Sequence, residues 1–586
     1  MQLKDNMLIK RFATLNHLLI LIIIVFILSR LVIIESDLPT FAITIYSDIE
    51  ELYYSIPAMD FIENGKYLYQ NKYSDLPDSL FIGSSHFLNF IVIFFIKLFG
   101  DNYYGSRMAS VLCGLIIVIL TLRFTKTSTN FYFQNNTKKL ILMYFLAAYF
   151  LIFDFSFILS NIVIEPTIFR ATSVFILIYI FHTINKTKIN DYKRNFFLGL
   201  ISCLFFVFVY PTNFFILIGH YLWIIVDNKN DFKKIVRYIS ISILGNIISL
   251  LIIFGFLYLK NINIIYEIEY LFNNYSTRVS LNKVGLIYKI KTILINAKHI
   301  SMANFLRYNF VNLLLFFPVM LFSFYRTINK TAHSIFYITC CFIIAFLIQT
   351  LFINDYPQRK LIILFPFFVI LLLDNLMYLQ KHFIGFKKIS FLYKLFFIIL
   401  SVFWTVFVIY SQFKLKFISS NCDGEEFYKP VFFIFSIFPF LIYLIIKKRF
   451  NNFFFFILLF SSTTFYSFSF IYKKISYNYK KALIELNQLP KNSMIVGGRS
   501  LGFRLYNNNK FAVNSYMYYN KDKLLIKNIK NISKNYKNVF IILNTKDTLY
   551  FNTLNLKFIN QLLIDKCQNN ISLYKIINKD LEIKQF

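Results

Sequence analysis

The chain has 586 residues, of which 57% are hydrophobic and 16% charged, and its formal net charge is +33. With 75 Phe, 41 Tyr and apolar runs of about 20 residues recurring along it, it reads as a multi-pass membrane protein and not as a set of soluble cores. Its lysines are scattered through short loops and an Asn-rich tail, which fits positive-inside topology and no nucleic-acid partner; its six cysteines form no CxxC or Cys/His cluster, which excludes zinc and iron–sulfur motifs of known spacing.

The first apolar run, "LNHLLILIIIVFILSRLVII", follows Lys10 and Arg11 and has no small-residue cleavage site, so it predicts a retained spanning helix with the N-terminus inside. The next segment then lies outside, and five acidic residues fall in it between Asp48 and Glu63. Here Leu52, Ile56, Met59 and Ile62 recur at helical spacing, which predicts an amphipathic in-plane helix that tolerates Pro57 in its first turn and ends at Gly65. Glu50 and Glu51 sit at its N-terminal end, where the helix dipole favours ionised carboxylates. Such a carboxylate at the lipid edge can accept or orient the proton of an acceptor hydroxyl.

Further apolar segments follow at 83–99, 107–123, 138–160, 166–184, 195–210, 212–227, 236–259, 306–324, 333–353, 361–378, 390–410, 430–446 and 452–472. "SSHFLNFIVIFFIKLF" (84–99) is short, flanked by Gly83 and Gly100, and carries His86, Asn89 and Lys97; it reads as an interfacial helix on the outer surface. The other thirteen segments cross, and "RFTKTSTNFYFQNNTKK", "NKTKINDYKR", "NKNDFKKIVR" and "KKRF" then all fall inside. The stretch 260–305 fits less well, being outside yet net basic. Asp154 lies within an apolar run and needs a partner there.

From about residue 474 the composition changes. "YKKALIELNQL" predicts an amphipathic helix, "SMIVGG" and "NVFIILNT" buried strands, and "KDKLLIKNIKNISKNY" a helix between them, which makes 474–586 a small α/β domain outside the membrane. "VGGRSLG" lacks phosphate-loop spacing and reads as a tight turn, and Cys422 and Cys567 read as free thiols.

Several of these stretches, taken in order, carry a resemblance. "EELYYSIPAMDFIENG" is similar to the Asp-Glu-x-Tyr-Tyr…Gly segment in the first external loop of GT-C-type glycosyltransferases, in the protein mannosyltransferase and aminoarabinose transferase branch. The stretch "SSHFLNFIVIFFIKLFGDNYYGSRMASVLCGLIIVIL", the acid-before-proline of "SNIVIEPTIFRATSVFILIYIF", "GLISCLFFVFVYPTNFFILIGHYLWII" and "PQRKLIILFPFFVILLL" resemble later motifs of that branch, over roughly residues 10–380. The resemblance implies an all-α polytopic membrane domain over 1–473, with about 13 transmembrane helices, interfacial helices in a first external loop of about 35–106, and the small α/β domain behind it. It also implies inverting transfer of a sugar from a polyprenyl-phosphate donor to a hydroxyl of a lipid, glycan or protein, on the outer face of a bacterial inner or plasma membrane.

Carried over, Glu50 takes the family's catalytic Asp position, with Glu51 beside it and Asp48 as a fallback; Glu165 falls on the second acidic motif. Arg107, Arg359 and Lys360 match basic residues near the donor phosphate, with His86 the nearest polar substitute where the family's Lys-Pro-Pro is replaced by "SSH". Tyr53 and Tyr54 are acceptor-contacting or site-lining residues. The Lys-Pro-Thr motif reads Tyr210-Pro211-Thr212, and the Arg that usually precedes the second acid is Asn161. A divalent metal is left open and no other cofactor is implied. The competing classes are a lipid-linked glycan transporter or flippase, which would carry internal repeats and mid-membrane charge pairs, and a membrane assembly protein that has lost catalysis.

Overall fold

A computed structural model of the chain describes residues 2–36, 58–59, 61–62, 86–134, 136–162, 166–187, 189–209, 214–259, 265, 310–352, 364–382, 484, 486, 488–490, 493–497, 511–514, 538–544, 556–563 and 571–576. The helices among them are α1 (Gln2–Leu31), α2 (His86–Phe99), α3 (Tyr103–Phe133), α4 (Thr137–Phe153), α5 (Phe155–Ile162), α6 (Pro166–Lys186), α7 (Asp191–Val209), α8 (Phe214–Asp227), α9 (Phe232–Leu259), α10 (Phe310–Ile328), α11 (Ser334–Phe352) and α12 (Leu364–His382). Among the described residues four stretches are long and apolar enough to span a bilayer: Tyr103–Phe133, Ile168–Lys186, Phe232–Phe256 and Leu364–Lys381. The expected spans at 390–410, 430–446 and 452–472 lie outside the described residues.

Two features differ from the sequence reading. The basic stretch expected as a loop from Arg123 is mostly helix, because α3 runs on to Phe133 and only residues 134–136 link it to α4. One face of it turns into the bundle, where Thr125, Ser128, Thr129 and Tyr132 are buried and the Thr125 and Thr129 hydroxyls donate back to the Thr121 and Thr125 carbonyls at 2.8 and 2.7 Å, while Arg123 and Lys126 stay exposed. The 138–160 segment is not one helix but α4 and α5, broken at Asp154.

Between α1 and α2, Ala58, Met59, Phe61 and Ile62 are helical, with Met59 buried and Ile62 packed on the core as the apolar spacing predicts, and Ala58 and Phe61 beside them. Helix α2 buries Leu88, Val92 and Ile96 and exposes Phe90, Phe94 and Leu98. A helix apolar on both sides needs lipid on the side the bundle leaves open. The tight turn from α2 into α3 rests on Gly100, at φ 83, and on Asn102, which donates to the Phe99 carbonyl and accepts from the Gly105 amide.

Cross-contacts fix the alternation of the helices. Lys229 Nζ donates to the Ile328 carbonyl, Lys330 Nζ to the Asp227 carbonyl, and Tyr238 to an Asp191 oxygen; His182 meets Ser334, and Arg326 meets Asp374 and Tyr132. The C-terminal ends of α3, α6, α8, α10 and α12 and the N-terminal ends of α7, α9 and α11 therefore share one end of the bundle. Three of the basic stretches expected on a single side of the membrane are gathered there.

The C-terminal part contains a five-stranded mixed sheet of β1 (Ser493–Gly497), β2 (Phe511–Asn514), β3 (Asn538–Asn544), β4 (Leu556–Leu563) and β5 (Ile571–Ile576), in the order β2-β1-β3-β5-β4. The two strands foreseen from sequence, β1 and β3, pair directly and in parallel, with Ser493 opposite Asn538. The remaining three strands were not foreseen. The helix expected between β1 and β3 lies outside the described residues; of the one expected before β1, Ile484 and Leu486 are helical, with Leu486 buried.

Candidate functional site

At the end of the bundle away from those basic links, α1 stops at Leu31 and a turn carries the chain to Ser36. Arg107, in the first turns of α3, is fully buried and donates through Nη1 to the carbonyls of Ile34 and Ser36, both at 2.7 Å, while its guanidinium stacks on Tyr103 with its central carbon 3.9 Å from the ring centre. One side chain thus ties together the two roots of the segment between α1 and α3, which leaves at Ser36 and returns at Tyr103.

Arg30 makes a second tie. It is fully buried in the last turn of α1 and donates to the Ile152 carbonyl at 2.8 Å and the Leu151 carbonyl at 3.1 Å, with Phe26 packed beneath it. Those carbonyls end α4, where the chain breaks and helical partners run out. Asp154 occupies the break. It is fully buried, and its Oδ1 accepts from the Phe157 amide at 2.8 Å, capping α5. The partner that an acid in an apolar run requires includes this backbone amide.

Helix α5 then packs among the others. Phe157 contacts Phe26 of α1 and Phe365 at the start of α12, with each pair of ring centroids 6.4 Å apart. Asn161 is buried against Gly114 of α3 and donates to the Phe157 carbonyl. It occupies the position where the resembled family carries Arg.

Of the predicted site residues, Arg107 is described in full, and His86 is placed as the first residue of α2. Asp48, Glu50, Glu51, Tyr53, Tyr54, Glu165, Arg359 and Lys360 lie outside the described residues. What the structure does bring together is the chain beside them: the end of α1, which leads toward Glu50; α5, which ends three residues before Glu165; and the start of α12, four residues after Lys360. Sequence reasoning missed Arg30. Its signal was a lone charge in an apolar run, which requires a partner.

The bundle's other end holds a distinct polar network. Arg107 and Tyr132 are 25 residues apart on α3, about 38 Å along its axis. There Arg326 pairs with Asp374 at 2.9 Å and donates to Asn375 Oδ1 at 2.7 Å and to the Tyr132 hydroxyl, which itself donates to Asp374 at 2.9 Å. Tyr378 and Phe336 face the guanidinium, with ring centres 4.2 and 4.5 Å from its carbon. Among the described residues no three His, Cys, Asp or Glu side chains gather as a metal site.

No family model matches the chain, and no curated protein sequence matches it. Solved structures do. ArnT from Cupriavidus metallidurans in the apo state aligns with a TM-score of 0.56 at 11% identity, over 96% of this chain and 98% of that one. The same protein bound to undecaprenyl phosphate aligns with a TM-score of 0.53 at 10% identity, over 98% and 99%. At such identities the likeness is one of fold. The chain shares the fold of ArnT, and the resemblance to GT-C-type glycosyltransferases read from the sequence motifs holds at the level of fold.

Proposed function

We propose that the chain is an integral-membrane glycosyltransferase that moves a sugar from a polyprenyl-phosphate donor to a hydroxyl of a lipid, glycan or protein acceptor on the outer face of a bacterial membrane. The observation that supports this reading is the convergence just described, within a fold shared with ArnT: α1, α3, α5 and α12 meet, and these helices neighbour in sequence the segments that hold the predicted acids and cations. ArnT itself binds undecaprenyl phosphate.

In the proposed reaction the acceptor oxygen attacks the anomeric carbon. A new C–O bond forms, the bond to the donor phosphate oxygen breaks, and polyprenyl phosphate leaves with the electron pair. Glu50 takes the acceptor proton, with Glu51 and Asp48 adjacent in sequence, and Glu165 is the second acid. Tyr53 and Tyr54 line the acceptor side. Arg359, Lys360 and His86 stabilise the charge that grows on the leaving phosphate. Arg107, whose Nη1 already holds two carbonyls, contributes a fixed positive charge at the loop root. Direct displacement inverts the anomeric centre. Residues 1–473 form the transferase domain with a cytoplasmic N-terminus, and 474–586 an extracytoplasmic α/β domain.

The test uses membranes containing the full chain and a panel of undecaprenyl-phosphate-linked hexoses, pentoses and aminosugars. Free undecaprenyl phosphate is measured by mass spectrometry, a readout independent of the acceptor. Glu50→Gln and Glu165→Gln should each lower release by about 10²–10⁴-fold without loss of protein from the membrane. Full activity in both variants sinks the catalytic assignment. Repeating the assay with a chelator decides metal dependence.

A further inference from the structure

Arg30 stands where two interruptions of regular structure meet. The first is the end of α1 and the turn to Ser36, in which the amides of Val32, Ile33 and Ser36 donate to Leu28, Arg30 and Ile33. The second is the break between α4 and α5, in which the Leu151 and Ile152 carbonyls are satisfied by Arg30. In an apolar interior an unsatisfied carbonyl is costly, and non-helical backbone persists only where other protein groups pair with it. A guanidinium suits this place because its planar fork directs Nη1 and Nη2 at two adjacent acceptors at once. The negative end of the α4 dipole favours the cation there.

Both interruptions lead into predicted acids. From Ser36, itself held by Arg107, the chain enters the segment with Glu50; from Asp154, α5 runs to Ile162, three residues before Glu165. We propose that Arg30 is a positioning residue for the transfer site, which couples the root of the first external segment to the broken-helix segment so that both acids are presented from one anchor. The proposal rests on the transferase reading above. It adds a residue that touches neither donor nor acceptor and whose removal uncouples two segments far apart in sequence.

The test compares the full chain in nanodiscs with Arg30→Gln and Arg30→Lys, using Asp374→Asn at the far end as a control for general destabilisation. Hydrogen exchange by mass spectrometry needs no substrate. Arg30→Gln, which reaches only one carbonyl, should raise exchange about tenfold or more in peptides covering 31–60 and 151–165 together, with Arg30→Lys intermediate and Asp374→Asn unchanged there. On the donor released by the parent, kcat per folded molecule should fall about 10–100-fold while KM changes less than about threefold, as displaced groups predict. A rise in only one segment overturns the coupling. A rise in both with unchanged kcat overturns the positioning role and leaves the transferase reading intact. If the parent releases undecaprenyl phosphate from no donor in the panel, the transferase reading and the positioning role fall together, and the exchange arm alone decides the coupling.

Discussion

Arg326 and Asp374 form an ion pair at 2.9 Å with both side chains shut off from solvent, and they join α10 to α12. The Tyr132 hydroxyl of α3 bonds to both members, and Asn375 links the guanidinium to Ser323 through its Oδ1 and Nδ2, so three helices are stitched at one level. Removing one partner leaves a buried charge uncompensated. Asp374→Ala should therefore destabilise the detergent-solubilised protein by about 3–5 kcal/mol, whereas the double replacement Arg326→Met with Asp374→Leu should recover most of that loss. Thermal unfolding of the single and double variants checks it. Equal losses in both would mean that the charges themselves are required.

A second prediction concerns the α3–α5 contact. A Cβ built on Gly114 would lie 1.9 Å from Asn161 Oδ1, so Gly114→Ala forces the Asn161 side chain out of a buried place and should cost about 1–3 kcal/mol. The obstacle is the end of a side chain, so Asn161→Ala in the same molecule should relieve most of the penalty. Gly245→Ala offers the contrast: its Cβ would meet the Phe196 backbone carbonyl at 2.3 Å, which no side-chain truncation removes. A double-mutant cycle on unfolding temperatures should show strong coupling between Gly114 and Asn161.

These relationships mark where sequence reading stops. The spacing of apolar runs and the bias of lysines are properties of one segment at a time; among the described residues they located the apolar helices, but they missed the run-on of α3 to Phe133 and the break after α4. They also marked β1 and β3, which are short, apolar and bounded by turn residues. The unseen strands β2, β4 and β5 read "FAVN", "LKFINQLL" and "ISLYKI"; their polar residues dilute the apolar pattern, and pairing supplies what the pattern lacks. The break at Asp154 was invisible because a helix and a broken helix share the same hydropathy. The sequence pattern shows no partner for Arg30, Arg326 or Asp374, because the carbonyls that hold Arg30 lie 121 and 122 residues away and the Arg326–Asp374 pair joins residues on two different helices. The site acids were read from local motifs and lie outside the described residues; the packing of α5 on α1 and α12 relates only helices that neighbour those motifs in sequence.

His333 gives a pH-dependent prediction. It sits in the link before α11, half-buried beside His182, with the ring centroids 4.9 Å apart, and its Nδ1 accepts the Ile335 amide at 3.3 Å. Burial first, then the nearby Lys186 charge, lowers its pKa from the ordinary value of 6.5, and Asp374 opposes this in part. A basic group with a depressed folded pKa is neutral in both states above 6.5, so it adds no slope there. As pH falls below 6.5 the unfolded chain takes the proton first, and stability declines until the folded His333 also titrates. Between about pH 8 and about pH 5.5 the parent should lose more thermal stability than His333→Gln. Parallel curves for the two proteins would show that another histidine carries the slope.

The cap at the helix break can be tested apart from the charge that sits there. Asp154 Oδ1 accepts the Phe157 amide, and an asparagine oxygen can accept the same bond without the negative charge. Asp154→Ala leaves that amide and the first turn of α5 without the cap, in surroundings from which water is excluded. The alanine variant should therefore be about 1–2 kcal/mol less stable than the asparagine variant, read as the difference between their unfolding curves. The same pair reports on function. If α5 positions the chain ahead of Glu165, release of undecaprenyl phosphate per folded molecule should fall further in Asp154→Ala than in Asp154→Asn. Equal rates in the two variants would confine the cap to a stabilising role.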